Sequence, residues 1–209
     1  MDLFPVDPSA NLLPCDGIVQ YHGHILSPPG AQRYFEALLA GIPWKNDEAV
    51  IFGKRIVTAR KVAWYGDARY SYTYSGTTKQ ALPLTRELAE LKEQVEHLSG
   101  TTFNSCLLNL YHDGSEGMAW HSDDEKELEK HSIIASVSLG AECKFSFKHK
   151  RTQETVSVIL EHGSLLIMKD TTQTHWLHAI PKSKKITGPR INLTFRTMLA
   201  QLSTADKKG

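Results

Sequence analysis

The sequence predicts an α+β fold in which an antiparallel β-sandwich or barrel carries helices on its outside. Two segments with helical periodicity come early, and from about Phe103 the pattern changes to short runs rich in β-branched and aromatic residues. Glycine, proline or charge separates most of these runs, which is the punctuation of an antiparallel sheet and not of alternating βαβ units. At 209 residues and 41% hydrophobic, the chain is long enough for one domain with a substantial core. Residues 1–209 are therefore expected to form a single domain, with 1–20 as an N-terminal extension.

The first helix is expected over Pro28–Ala40, with Ser27 as its N-cap and Gly41 after its end. The second is expected over Pro83–Leu98, where Leu84, Leu88, Leu91, Val95 and Leu98 fall at helical spacing and Gly100 follows. Strands are expected at Phe103–Tyr111, Ile133–Leu139, Lys144–Phe147, Thr155–Leu160, Ser164–Met168, His175–Ile180 and Arg190–Thr197. The sequence contains no internal repeat, low-complexity tract or phosphate-loop glycine motif.

Bulk properties exclude several function classes. Cys15, Cys106 and Cys143 are odd in number and never form C-x-x-C, which argues against a disulfide framework and a cysteine zinc cage and for a reducing compartment. The N-terminus carries acids and prolines where a secretory signal has a basic start and an unbroken apolar run. No apolar stretch approaches the ~18 residues of a membrane helix, so a soluble protein without a membrane partner is expected. A net charge of +1 gives no global attraction to phosphate, so nucleic-acid binding would rest on local patches such as Lys148, Lys150 and Arg151, or Lys182, Lys184 and Lys185.

His121-Ser122-Asp123 places an imidazole and a carboxylate on one face of an extended chain. Alone this means little, since 10 His and 10 Asp among 209 residues generate about half such a pair by chance. A third ligand from a distant strand would complete a two-His, one-carboxylate face that leaves iron positions open for cosubstrate and dioxygen. His178 is the candidate, while His175, three residues earlier in the same expected strand, would point to the opposite face. Arg190, Asn192, Thr194 and Arg196 alternate with Ile191, Leu193 and Phe195, giving a strand one polar, doubly cationic face and one core face. If that polar face turns inward, two guanidinium forks suit the two carboxylates of 2-oxoglutarate; otherwise it is a charged solvent face.

With these residues assembled, the chain resembles the AlkB family of Fe(II)/2-oxoglutarate dioxygenases across roughly residues 50–197. Asn109-Leu-Tyr111-His-Asp-Gly, His121-Ser-Asp123-Asp-Glu125, His178 and Arg190-x-Asn-x-Thr-Phe-Arg196 follow the family's order. The resemblance implies a double-stranded β-helix (jelly-roll) core over 103–197, flanking N-terminal helices and a nucleotide-recognition lid over 43–80. It implies that His121, Asp123 and His178 bind Fe(II) and that Arg190 and Arg196 hold the carboxylates of 2-oxoglutarate. By the same resemblance Asn109, Tyr111, Asn192 and Thr194 are expected to complete the cosubstrate site, with O2 as the second cosubstrate.

In the lid, Ile51-Phe52-Gly53-Lys54, Arg60-Lys61, Trp64-Tyr65-Gly66-Asp67 and Tyr72-Thr-Tyr74-Ser-Gly76 look like those of homologues that prefer double-stranded DNA. By that resemblance Phe52 is a finger inserted into the base stack, with Gly53, Lys54, Arg60 and Tyr72 beside it. Tyr74 stands where those homologues carry a phenylalanine that stacks on the flipped base, and the short N-terminus lacks a basic partner-binding tail. The implied reaction couples decarboxylation of 2-oxoglutarate to succinate with hydroxylation of a base's N-alkyl carbon, which then leaves as aldehyde.

Asp124 and Glu125 are expected to favour cationic lesions such as N1-methyladenine and N3-methylcytosine by Coulomb attraction. Asp124 is also a candidate to hold the lid through Arg60. The expected partner is alkylated DNA, double-stranded, bound by a monomer, in the cytoplasm with the nucleoid if bacterial and in the nucleus if eukaryotic. Two alternatives stay open: action on RNA or single-stranded DNA, and a catalytically silent binding barrel.

Overall fold

The computed structural model describes residues 7–51, 54–67, 71–74 and 77–199, with 48–51, 54–56, 71–74 and 77–79 as backbone only. The chain opens with β1 (Ile18–His24), α1 (Pro28–Gly41), β2 (Lys45–Ile51) and β3 (Lys54–Gly66). Three short strands follow, β4 (Ser71–Tyr74), β5 (Thr77–Gln80) and β6 (Leu82–Pro83), and then α2 (Arg86–Ser99). The second half runs β7 (Ser105–Tyr111), β8 (Met118–His121), β9 (Ile134–Gly140), β10 (Cys143–His149), β11 (Thr155–Leu160) and β12 (Ser164–Lys169). It ends with a single turn α3 (Thr172–His175), β13 (Trp176–Ile180) and β14 (Arg190–Arg196).

A major sheet in the order β1-β12-β9-β14-β7-β3-β2, with β6 beside β3, faces a minor sheet in the order β11-β10-β13-β8. The two form a sandwich. β4 and β5 make a separate hairpin.

Period-two alternation gives the major sheet two buried faces. Cys106, Leu108 and Leu110 of β7, Val137 and Leu139 of β9, and Ile191, Leu193 and Phe195 of β14 join Tyr34 and Leu38 of α1 and Leu88, Leu91 and Val95 of α2 in one apolar cluster. The opposite face meets Phe145, Phe147, Leu160 and Trp176 of the minor sheet in a second cluster. All of β14 is buried, so its polar residues lie inside the sandwich and not toward solvent.

Local chemistry sets the helix ends. The Ser27 hydroxyl accepts from the Gly30 N–H and starts α1 at Pro28, as expected, although Gly41 closes the helix instead of following it. α2 begins three residues later than expected, because the Thr85 hydroxyl accepts from the Leu88 N–H while Leu82 and Pro83 pair with β3. Gly100, at φ 72°, closes α2.

The segment expected as an N-terminal extension enters the core: from Ile18 it forms the edge strand β1 against β12, and Leu13 is buried in the inter-sheet cluster. The segment expected as a lid is continuous with the major sheet, since β3 pairs with β7 from Lys61 to Gly66. His175 closes α3 and is not on a strand; its ring lies parallel to that of His149 at 6.3 Å. It stays apart from His178 because a helical turn, not the opposite face of a strand, directs it. Among the described residues, no helix is long and apolar enough to cross a membrane.

Candidate active site

β8 and β13 pair antiparallel with His121 opposite His178. The register slips between this pair and Ile180–Met118, so three steps on β8 match two on β13. That bulge turns both Met118 and His121 toward the interior cavity and leaves Ala119 and Trp120 exposed. His121 Nε2 and His178 Nε2 approach Asp123 Oδ1 at 3.7 and 3.8 Å, and the three ligand atoms lie within 4.8 Å of one another.

The protons are arranged for metal binding. His121 Nδ1 lies 2.8 Å from the Ala119 carbonyl, which can only accept, so Nδ1 carries a hydrogen and Nε2 is the nitrogen left to face Asp123. Burial pushes the His178 imidazole down to about 4, with Asp123 opposing the shift and His121 and Lys150 adding to it. It is neutral at neutral pH, the form that ligates. The Asp123 N–H donates to Gln173 Oε1 at 2.9 Å, and Lys150 Nζ donates to Ser122 Oγ and the Gln173 carbonyl. α3 thus anchors the ligand loop. Two imidazoles and one carboxylate on a single face are a donor set suited to Fe(II) with positions left open.

The triad shares a cavity of ≈ 590 Å³ with Asn109, Tyr111, Asn192, Thr194 and Arg196. Burial raises the Tyr111 phenol, against the opposing effect of Arg190 and Arg60, and keeps it neutral. Asn192 donates to Ser136 Oγ and the Val137 carbonyl and accepts from Thr194 Oγ1. The arginines are not satisfied in this way. Arg190 is 3% exposed and lies against Tyr111, with one hydrogen bond, from Nη2 to Ser138 Oγ. Its Nε and Nη1, and Nε of Arg196, are buried without a partner among the described residues. Arg196 Nη1 lies 3.4 Å from Glu125 Oε1. The two Cα atoms are six residues and about 20 Å apart along the strand. Arg196 lines the cavity, and Arg190 lies beside it against Tyr111, which does; a short dicarboxylate with one carboxylate on each guanidinium would satisfy the orphaned donors.

Arg60 pairs with Asp47, not Asp124; its Nη1 also donates to Met118 Sδ, and the guanidinium lies 6.0 Å from the Tyr111 ring centre. Asp47, Arg60 and Glu125 line the cavity, whereas Asp124 is exposed and does not. The expectation that Asp124 holds the lid through Arg60 is therefore corrected: strand pairing of β2 with β3 sets Asp47 within reach of Arg60. Phe52 and Gly53 lie outside the described residues, and Lys54, Tyr72 and Tyr74 are described as backbone only. Sequence reasoning missed Asp47, Met118, Ser136, Ser138 and Gln173, none of which belongs to a motif; the alternation of serine with apolar residues along β9 was the one available signal for the two serines.

A second trio, Cys15, Asp16 and His149, also brings ligand atoms together. The Thr152 N–H donates to His149 Nδ1, which puts the ring proton on Nε2, where it donates to Asp16. That nitrogen is occupied, and the pair fastens the N-terminal segment to the minor sheet.

Residues 17–196 match the model of the 2OG-Fe(II) oxygenase superfamily. Over 175 residues the chain is 43% identical to DNA oxidative demethylase ALKBH2 of Mus musculus, covering 80% of this chain and 70% of that one. The chain belongs to the AlkB family of 2OG-Fe(II) oxygenases. It is accordingly an Fe(II)- and 2-oxoglutarate-dependent dioxygenase. It is also 40% identical over 178 residues to alpha-ketoglutarate-dependent dioxygenase alkB homolog 3 of Bos taurus, covering 80% of this chain and 62% of that one. The solved structure of OsALKBH1 shares the fold at a TM-score of 0.59 and 15% identity, over 88% of this chain and 99% of its own. Against the ALKBH2 proteins of mouse, human and cattle, this AlkB member spans 70, 64 and 60% of their length.

Proposed function

We propose that this AlkB-family enzyme removes alkyl groups oxidatively from N-alkylated DNA bases, such as N1-methyladenine and N3-methylcytosine, as a direct repair of duplex DNA. The observation that carries this is the His121-Asp123-His178 cradle sharing one cavity with Arg196 and its orphaned Nε, beside the buried Arg190 and with Arg60 and Asp47 in the cavity wall. Similarity to proteins named DNA oxidative demethylase supports the substrate class. The duplex preference rests on the Phe52 motif, and action as a monomer is part of the proposal.

In this mechanism His121, Asp123 and His178 hold iron. The bound metal supplies the redox chemistry that couples dioxygen and 2-oxoglutarate decarboxylation to hydroxylation of the N-alkyl carbon. Arg196 and Arg190 orient the cosubstrate by its carboxylates, with Asn109 and the neutral Tyr111 phenol as further polar contacts. Ser136 and Ser138 hold Asn192 and Arg190 in place. Gln173 fixes the ligand loop, and the Arg60–Asp47 ion pair forms part of the cavity wall. The damaged base must leave its stack to enter.

The test is anaerobic titration with Fe(II) and 2-oxoglutarate, followed by turnover on matched methylated duplex, single-stranded DNA and RNA. Succinate formed in step with base repair, fastest on duplex, is the expected result. Faster repair of single-stranded DNA or RNA would reassign the substrate, and binding without succinate would show a silent barrel.

A further inference from the structure

The outer face of the minor sheet carries a groove that the chemistry inside the sandwich does not use. Phe145 and Phe147 of β10 point into the inter-sheet cluster, so Lys144, Ser146 and Lys148 point outward. Cross-strand register puts Ile159, Ser157 and Thr155 of β11 beside them. On β13, His178 faces inward and Leu177 and Ala179 outward. On β8, the sheet's edge strand, Trp120 alternates with the inward His121 and so takes this same side. The outward positions of these four strands include lysines and no carboxylate.

A groove of ≈ 450 Å³ runs along β8 and β13, lined by Ala119, Trp120, Ser146, Ala179, Pro181 and Lys182. Trp120 is 40% exposed, and Lys148 Nζ lies 4.8 Å from its ring centre. That contact braces the indole and sets an ammonium at its margin. Lys150, the neighbouring cation, is committed to Ser122 and Gln173.

We propose that this groove is a docking site for a nucleotide flanking the damaged base on the same strand, its base stacked on Trp120 and its phosphates met by Lys148 and Lys182. The proposal rests on the nucleic-acid reading above. An aromatic platform beside cations, with no acids, is the chemistry that holds single-stranded nucleic acid independently of sequence. Trp120 is bonded directly to His121, so the groove and the metal cradle are separated by about the thickness of one sheet layer, ~10 Å. About three nucleotides at the ~3.4 Å spacing of a DNA strand cover that distance around the edge strand. No further strand blocks the path, because β8 has a neighbour on one side only.

The experiment compares kcat/KM on a methylated single-stranded 12-mer with that on the methylated mononucleotide, for wild type, Trp120→Ala, Trp120→Phe and Lys148→Ala. Trp120→Ala is expected to lower the 12-mer-to-mononucleotide ratio roughly tenfold through KM, Trp120→Phe to recover most of it, and Lys148→Ala to reduce the slope of log KM against log salt by about one. An unchanged ratio for Trp120→Ala would overturn the docking site while leaving the dealkylation reading intact. A fall on both substrates with weaker Fe(II) binding would overturn it too, showing that Trp120 acts by positioning His121. Wild-type protein inactive on every methylated substrate would sink the dealkylation reading and this proposal with it.

Discussion

Replacing Arg190 with Met separates stability from function in a way that tests the cosubstrate site. Arg190 is almost fully buried, and one of its nitrogens has a partner, the Ser138 hydroxyl. Its Nε and Nη1 are buried without acceptors. If a carboxylate of 2-oxoglutarate is their partner, each charge-assisted hydrogen bond contributes about 1.5–3 kcal/mol. Two such bonds give at least about 3 kcal/mol, so Arg190→Met should weaken cosubstrate binding roughly 100-fold or more. Methionine nearly matches the arginine stem in length, and exchanging a poorly paired buried charge for an apolar side chain is neutral or stabilising in comparable cases. The ligand-free variant should therefore melt within about 4 °C of wild type, or above it, since ~1 kcal/mol shifts a domain of this size by about 2–4 °C. Anaerobic calorimetric titration of 2-oxoglutarate into the Fe(II)-loaded protein gives Kd, and a thermal melt without ligand gives Tm. An affinity within threefold of wild type would refute the assignment of those donors, and a Tm lowered by ten degrees or more would show that Arg190 is a structural residue.

Four further outcomes are expected, three from the same geometry and the one for Phe52 from its sequence motif. His121→Ala should abolish succinate formation with little change in Tm, because its side chain is partly exposed and fills no core; normal turnover would remove it from the ligand set. Glu125→Gln should reduce activity on N3-methylcytosine several-fold more than on a neutral etheno adduct, and should not weaken cosubstrate binding, since it releases Arg196; equal losses on both substrates would indicate a general structural role. Phe52→Ala should cut repair in duplex DNA roughly tenfold or more, the loss of about 1–3 kcal/mol of stacking, while sparing the single strand; a parallel drop on both, with a lower Tm, would make Phe52 a core residue. Folding keeps His178 neutral although it titrates near 6.5 when unfolded, so the metal-free protein should hold this contribution above that pH and lose it as pH falls toward about 4; denaturation curves between pH 7.5 and 4.5 should show a shallower fall for His178→Gln.

Elements whose cause is local are legible in the chain alone. Period-two alternation in Arg190–Arg196 marked one polar and one apolar face, and Ser27 marked the start of α1, because strand pleat and capping are settled within a few residues. The His-x-Asp pair and the arginines were legible for the same reason, and their order along the chain was enough for the family resemblance. Pairing across the chain was left to tertiary structure. Only the register of β13 on β8 sets His178 opposite His121, and only the bulge there brings Met118 to the same inward side as His121. Asp47 could not be foreseen as the partner of Arg60, since hairpin register and side-chain reach decide which of several nearby acids arrives. Gln173 acts from a one-turn helix whose place depends on β12 and β13. Burial decided the rest: whether the two arginines face water or stand orphaned inside a sandwich depends on the second sheet closing over them, and that sheet is built from residues distant in sequence.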